Sequence, residues 1–395
     1  MTNEKKHLWI QNGNTFYSDV SDGNNYYYLN NEKTDKDKNQ VIKKLYESYF
    51  KKPFKNVLIL AAAGTSCVCN GILAKELWQV CKEPIIELTN KITNLEQEDF
   101  YTTPNIEGLL SYINLYIKFN KNNEIEKLKK DIEKKIATAC NLTLNNKTHI
   151  KFLNKITARK PSDPRIKLFT LNYDLLFEQA ANEAGFTIID GFSFSYPRTF
   201  LGKMFDLDIV NREKTRLKNE ESFESKVFHL YKMHGSINWY KEEDKIRQKD
   251  IKEQNIAENP LLIYPATDKY ESSYEQPYFE MMSRFQQAVR KENTLLIVVG
   301  FSFQDKHIKN IIVEAVKQNA SFNLVIVNYD KNKGYINKED IREFFTNPDD
   351  NQNFQVENNV TIIYSDFKDF AENYPSNNAY NSYSDDEETN IKNEK

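Results

Sequence analysis

Residues 167–185 read KLFTLNYDLLFEQAANEAG, and their reading decides the fold. Leu168 to Leu171 belong to an apolar run of strand length, whereas from Leu175 onward the apolar residues recur at the three- and four-residue steps of a helix. Between the two stand Asn172, Tyr173 and Asp174, at a place where most strand ends carry Gly, Ser or Pro. The same strand, turn and helix grammar recurs outward from this stretch. NVLILAAAG (Asn56–Gly64) precedes the helical GILAKELWQVCK, and further strand runs follow at FTIIDGF (186–192), KVFHLYKMHG (226–235), LLIYP (261–265), NTLLIVVG (293–300), FNLVIVN (322–328) and VTIIY (360–364). Helical segments DLLFEQAANEA, SYEQPYFEMMSRFQQAVRK and DKHIKNIIVEAVKQN lie between several of them. Such alternation predicts an α/β fold, a doubly wound, Rossmann-like parallel sheet with helices on both faces.

Three regions depart from that grammar. FYSDV and NYYYLN flank Asp22-Gly23, a hairpin signal, with a helix expected near Asn39–Lys51, so residues 1–52 form an N-terminal hairpin and helix extension. Residues 53–372 form the main domain, and within it residues 83–160 lose the strand signal and carry Ile and Leu at helical steps, a helical insertion subdomain. Beyond Pro375 the chain turns acidic, with Asp385 to Glu388 in a row, so residues 373–395 are expected to form an acidic disordered tail.

The composition narrows the function classes. With 395 residues, 39% of them hydrophobic, the chain can bury one large core or two modest ones. A formal charge of -3 advertises neither a nucleic-acid surface nor polyanion binding, and no apolar run approaches the roughly 20 residues of a membrane helix. The four cysteines, Cys67, Cys69, Cys81 and Cys140, lack the paired C-x2-C spacing of a tetrahedral zinc site, so no metal is expected. Few cysteines and an N-terminus, MTNEKKHLWIQ, unlike a signal peptide point to a cytoplasmic setting.

In open α/β sheets ligands bind beyond the carboxyl ends of the strands, so the residues just after each strand are the candidates. Ala63, Gly64, Thr65 and Ser66 form a small-residue turn that lets a backbone approach a pyrophosphate and offers two hydroxyls. Gly300 and Ser302 in GFSFQD repeat the device, with the alternative that Asp305 simply caps the helix starting at Lys306. Asn172 and Asp174 supply an amide and a carboxylate, with the alternative of a turn residue and an N-cap. His234, in KMHGSINW, stands before a Gly and a Ser at a strand end, where its titration range suits proton transfer; His7, His149, His229 and His307 are read as satisfied or surface histidines. Asn328 closes the FNLVIVN strand with a second N-Y-D.

Taken in order, Ala62-Ala63-Gly64-Thr65-Ser66, Asn172-Tyr173-Asp174, His234-Gly235, Gly300-Phe301-Ser302 and Asn328 resemble the motifs of the sirtuin-like (Sir2-family) NAD-consuming domains. The family's first turn glycine is Ala62 here, the Gln before its Asn is Leu171, and the zinc-binding cysteine pairs of the protein-deacylase branch are missing. TLNYD, HGSINW and GFSFQD look instead like the NADase effectors of bacterial antiphage defence systems.

That resemblance implies an NAD+ hydrolase that cleaves the nicotinamide–ribose bond to give nicotinamide and ADP-ribose, with NAD+ as substrate and no metal. Asn172, Asp174 and His234 would be catalytic, while Ala63, Gly64, Thr65, Ser66, Gly300, Ser302 and Asn328 would bind the dinucleotide. It further implies abortive infection by NAD+ depletion and a regulatory partner of the HerA-type ATPase or Argonaute-like kind; because an unrestrained NADase would kill its host, regulation through a homo-oligomer or that partner is expected, with the aromatic N-terminal hairpin as the candidate contact surface. The rivals are an NAD-dependent protein deacylase and a non-hydrolytic NAD or ADP-ribose-binding assembly subunit.

Overall fold

A computed structural model describes residues 6–11, 14–21, 24–34, 36–160, 163–211, 223–249, 260–262, 276–328, 338–346 and 356–376. Asp22-Gly23, residues 263–265, the YD of the second N-Y-D and the tail from residue 377 lie outside them. The strands in chain order are β1 (Lys6–Gln11), β2 (Asn14–Ser21), β3 (Asn24–Leu29), β4 (Glu32–Thr34), β5 (Asn56–Ala61), β6 (Lys167–Thr170), β7 (Thr187–Ile189) and β8 (Val227–Lys232). They continue with β9 (Gly235–Ser236), β10 (Trp239–Glu242), β11 (Lys245–Gln248), β12 (Leu261–Leu262), β13 (Thr294–Val299), β14 (Phe322–Val327) and β15 (Val360–Ile363).

Eleven of these form one sheet in the order β4-β3-β2-β1-β15-β14-β13-β5-β6-β8-β7. From β15 to β7 every pairing is parallel, the doubly wound α/β core. The strands there are apolar on both faces because both are covered. Leu58 and Leu60 of β5, with Leu296 and Val298 of β13, join the core that includes Phe285 and Ile312 of helices Tyr278–Val289 and Lys306–Gln318. Val57, Ile59, Leu295 and Ile297 alternate onto the other face, against Phe152, Phe177 and Phe370 of helices Thr148–Thr157, Leu176–Glu183 and Phe367–Asn373.

Four points differ from the sequence expectations. The expected hairpin is present as β2 with β3, but it is part of an antiparallel meander of four strands joined to the main sheet, because β1 pairs with β15 through Trp9↔Ile363 and Ile10↔Ile362. The LLIYP run supplies only β12 within the described residues, and β12 pairs antiparallel with β9 outside the main sheet. The small-residue turn after β5 winds into a 3-10 helix, Ala63–Cys69, and an α-helix begins only at Ala74. Finally, Leu77 to Ala137 supply a separate helical core, whereas Thr148–Thr157, which also lacks a strand signal, packs on the sheet. Among the described residues no helix is long and apolar enough to cross a membrane.

Candidate functional site

The parallel strands end in register. Val327 lies opposite Val299, Val299 opposite Ala61, Ala61 opposite Thr170, and Thr170 opposite Lys232. A single row thus crosses five strands at their carboxyl ends, and the candidates follow it closely: Asn328, Gly300 and Ser302, Ala63 to Ser66, Asn172 and Asp174, and His234. The chain winds one way from β5 to β6 and returns to the other side of β5 with β13, so the switch point falls between β5 and β13.

At that point the two glycine turns touch. The Gly64 N–H donates to the Gly300 carbonyl at 3.1 Å, and a Cβ on Gly64 would stand 2.6 Å from the Gly300 Cα. Gly300 also has φ +67, so both close approach and backbone conformation call for glycine there.

Asn172 braces the first of these turns. Its Nδ2 donates to the Ala62 carbonyl at 3.1 Å, to Thr65 Oγ1 at 3.0 Å and to Ser66 Oγ at 2.9 Å. Ser66 in turn donates to Asp174 Oδ2 at 2.5 Å, while Asp174 Oδ1 accepts the Leu176 N–H at 3.1 Å. Asp174 therefore supports the helix start without being its N-cap, which is Leu175. With both amide hydrogens of Asn172 directed at the turn, its carbonyl oxygen is the group with which it can meet a ligand. Tyr173 points the other way, into the helical core beside Leu175 and Ile237.

Beneath this turn lies a buried ion pair. Lys232 Nζ is 3.1 Å from Glu178 Oε1, and it donates to the Asp174 backbone carbonyl, with the two side chains 2% and 6% exposed. Burial raises the Glu178 carboxyl above its ordinary range against the opposing pull of the lysine.

His234 belongs to a second network. Its Nε2 is 3.2 Å from Asp305 Oδ2, and its Nδ1 is 3.7 Å from Glu107 Oε1. Asp305 also caps helix Lys306–Gln318, its Oδ1 accepting the N–H groups of His307 at 2.9 Å and Ile308 at 3.2 Å. Burial alone would depress the imidazole, but the Asp305 hydrogen bond and the negative charges of Glu107 and Asp305 outweigh it and raise its pKa. Burial likewise pushes the Asp305 carboxyl upward, and the histidine more than reverses this, leaving it low. The Tyr173 ring, 6.4 Å from the His234 ring, stands between the two networks.

Residues 167–363 match the family model described as a SIR2-like domain. This chain carries a SIR2-like domain. Two solved structures are distantly similar to it. One, a Sir2 homologue in complex with NAD, is 12% identical with a TM-score of 0.41, covering 84% of this chain and 91% of that one. The other, Sir2Tm bound to a propionylated peptide, is 14% identical with a TM-score of 0.37, covering 83% and 95%. No curated protein matched the sequence.

The SIR2-like match runs from the first residue of β6 to the last of β15, so it includes Asn172, His234, Gly300 and Asn328 but not the Gly64 turn or the helices from Ala74 to Thr157. Geometry attaches the Gly64 turn to it, through Asn172 and Gly300. Asn328 braces the Gly300 turn, its Nδ2 donating to the Phe301 carbonyl at 2.8 Å, whereas Ser302 is exposed. Three residues of the networks escaped sequence reasoning. Lys232 left a trace, as a lysine closing a buried strand run, but Glu178 and Glu107 sit on helices where a carboxylate is unremarkable.

Proposed function

We propose that this chain is an NAD+ glycohydrolase, cleaving the nicotinamide–ribose bond with water to give nicotinamide, ADP-ribose and a proton. The observation that carries the reading is the in-register row of strand ends, which gathers two touching glycine turns, an amide, a carboxylate and an imidazole at the switch point of a sheet whose strands from β6 to β15 fall in a SIR2-like match. The glycine turns would let the dinucleotide's phosphates lie against backbone N–H groups. As the bond breaks, positive charge moves from the pyridinium onto the ribose, and the carbonyl oxygen of Asn172 would face that charge or hold the attacking water. His234, backed by Asp305, would accept the proton of the water or of a ribose hydroxyl. Asp174 would act through Ser66, holding the turn rather than touching substrate.

Hydrolysis is favoured over deacylation because the four cysteines include no C-x2-C pair of the kind that holds the deacylases' zinc. An enzyme that destroys NAD+ must be restrained, which supports a role as a defence effector held by oligomerisation or by a partner ATPase or Argonaute-like protein. The proposed organisation places catalysis in residues 53–372, with the N-terminal strands and the acidic tail as accessory parts. Incubating the purified protein and its activating partner with NAD+, with and without an acetyl-lysine peptide, tests the reaction class. Peptide-independent release of nicotinamide and ADP-ribose is expected; turnover only with the peptide would make it a deacylase, and binding without release a sensor.

A further inference from the structure

The helical region reaches His234 through Glu107. Glu107 is the second residue of helix Ile106–Asn120, whose N-cap Asn105 accepts the N–H groups of Glu107 and Gly108, each at 3.1 Å. Ile106, Leu109 and Leu110 of that helix are buried in one core with Tyr173 and Leu175, so its start is packed against the turn that carries Asn172. The Glu107 carboxylate lies 3.7 Å from Nδ1 of His234, whereas Asp305 approaches Nε2 at 3.2 Å. The Tyr173 hydroxyl is 3.5 Å from the same Glu107 oxygen. Tyr278, at the start of helix Tyr278–Val289, is the further titratable group that feels both carboxylates, and His307 acts on Asp305 from its own helix.

An imidazole with a carboxylate facing each nitrogen is fixed in orientation and favoured as a cation. We propose that Glu107 is a positioning residue for His234, clamping the ring from the nitrogen opposite Asp305 and thereby governing its proton. The helical region is then part of the catalytic apparatus and not only a cover, since it carries one jaw of the clamp. The inference rests on His234 as the proton acceptor of the proposed reaction, but its physical content does not need turnover.

Ring-proton NMR titration of the wild type, Glu107→Gln and Glu107→Asp reads it directly, with the His234 signal among the five histidines assigned by His234→Gln. Removing a charge at this distance from a site only one-third exposed on the Glu107 side should lower the His234 midpoint by about 0.5–1 pH unit. Glu107→Asp, which keeps the charge and shortens its reach, should fall between the two. An unchanged midpoint in both variants overturns the proposal, whether or not NAD+ is cleaved. Where NAD+ is cleaved, the acid limb of kcat/KM should move to lower pH in Glu107→Gln. A loss of the same factor at every pH would mean a merely structural role and would equally overturn it. A shifted midpoint in a protein that leaves NAD+ intact even with its trigger present would uphold the clamp and reject the hydrolase.

Discussion

His149 shows how much a single residue can depart from its sequence reading. It sits in helix Thr148–Thr157, fully buried, with neither ring nitrogen hydrogen-bonded, edge-on to Phe177 at 4.9 Å and Phe367 at 5.0 Å. Burial holds its pKa down to about 4, and burial, with nearby Lys167, does the same to His229. In the unfolded chain both titrate at about 6.5, so between those values the unfolded state binds more protons. Stability is therefore fully present above pH 6.5 and is lost as the pH falls toward 4, by a few kcal/mol (~2–3 per histidine). Melting temperatures measured from pH 8 to pH 4 should show this decline, and His149→Leu should flatten it; an unaltered slope would mean His149 is not the cause. His234 and Asp305 were legible as strand-end and cap residues, since their position in the α/β grammar singles them out. Glu107 was not, because nothing local marks a glutamate in a first helical turn as facing a histidine more than a hundred residues away.

At the scale of elements, the parallel strands were readable because burial on both faces imposes unbroken apolar runs, as in β5 and β13. The Ala63–Cys69 helix was not, since AGTSCVC has neither the length nor the spacing of an amphipathic α-helix. The joint between β8 and helix Leu176–Glu183 depends on the Lys232–Glu178 pair, which also pins the Asp174 carbonyl. Lys232→Met leaves a buried carboxylate without its cation and should cost about 3–5 kcal/mol in chemical denaturation. Lys232→Met combined with Glu178→Leu should recover much of that loss, because an apolar pair needs no desolvation of charge. If the double variant is as unstable as the single one, the cost lies in lost packing or in the Asp174 contact rather than in the stranded charge.

Across the whole molecule, the N-terminal meander is continuous with the parallel sheet. Trp9 and Phe16 are 2% and 0% exposed in the core shared with Phe152 and Phe370, and β1 covers the edge of β15. Removing residues 1–35 should therefore lower the melting temperature and yield aggregates, through an uncovered strand edge and exposed aromatic surface. A soluble truncated protein with unchanged melting would show the meander to be dispensable for folding and available for partner contacts. The sequence displayed this region's hairpin signal but not its attachment, because pairing of β1 with β15 joins residues from opposite ends of the chain. The site is likewise a property of the whole: its two networks draw on β5, β6, β8, β13 and the helical region, and only folding brings them to one end of the sheet. The most direct measurement is cellular NAD+ after expression of the wild type, Asn172→Ala or His234→Ala at equal protein levels. NAD+ should fall with the wild type, and each variant should deplete it about 100-fold more slowly or worse. Undiminished NAD+ with the wild type in the presence of its trigger, or equal depletion by the variants, would contradict the account.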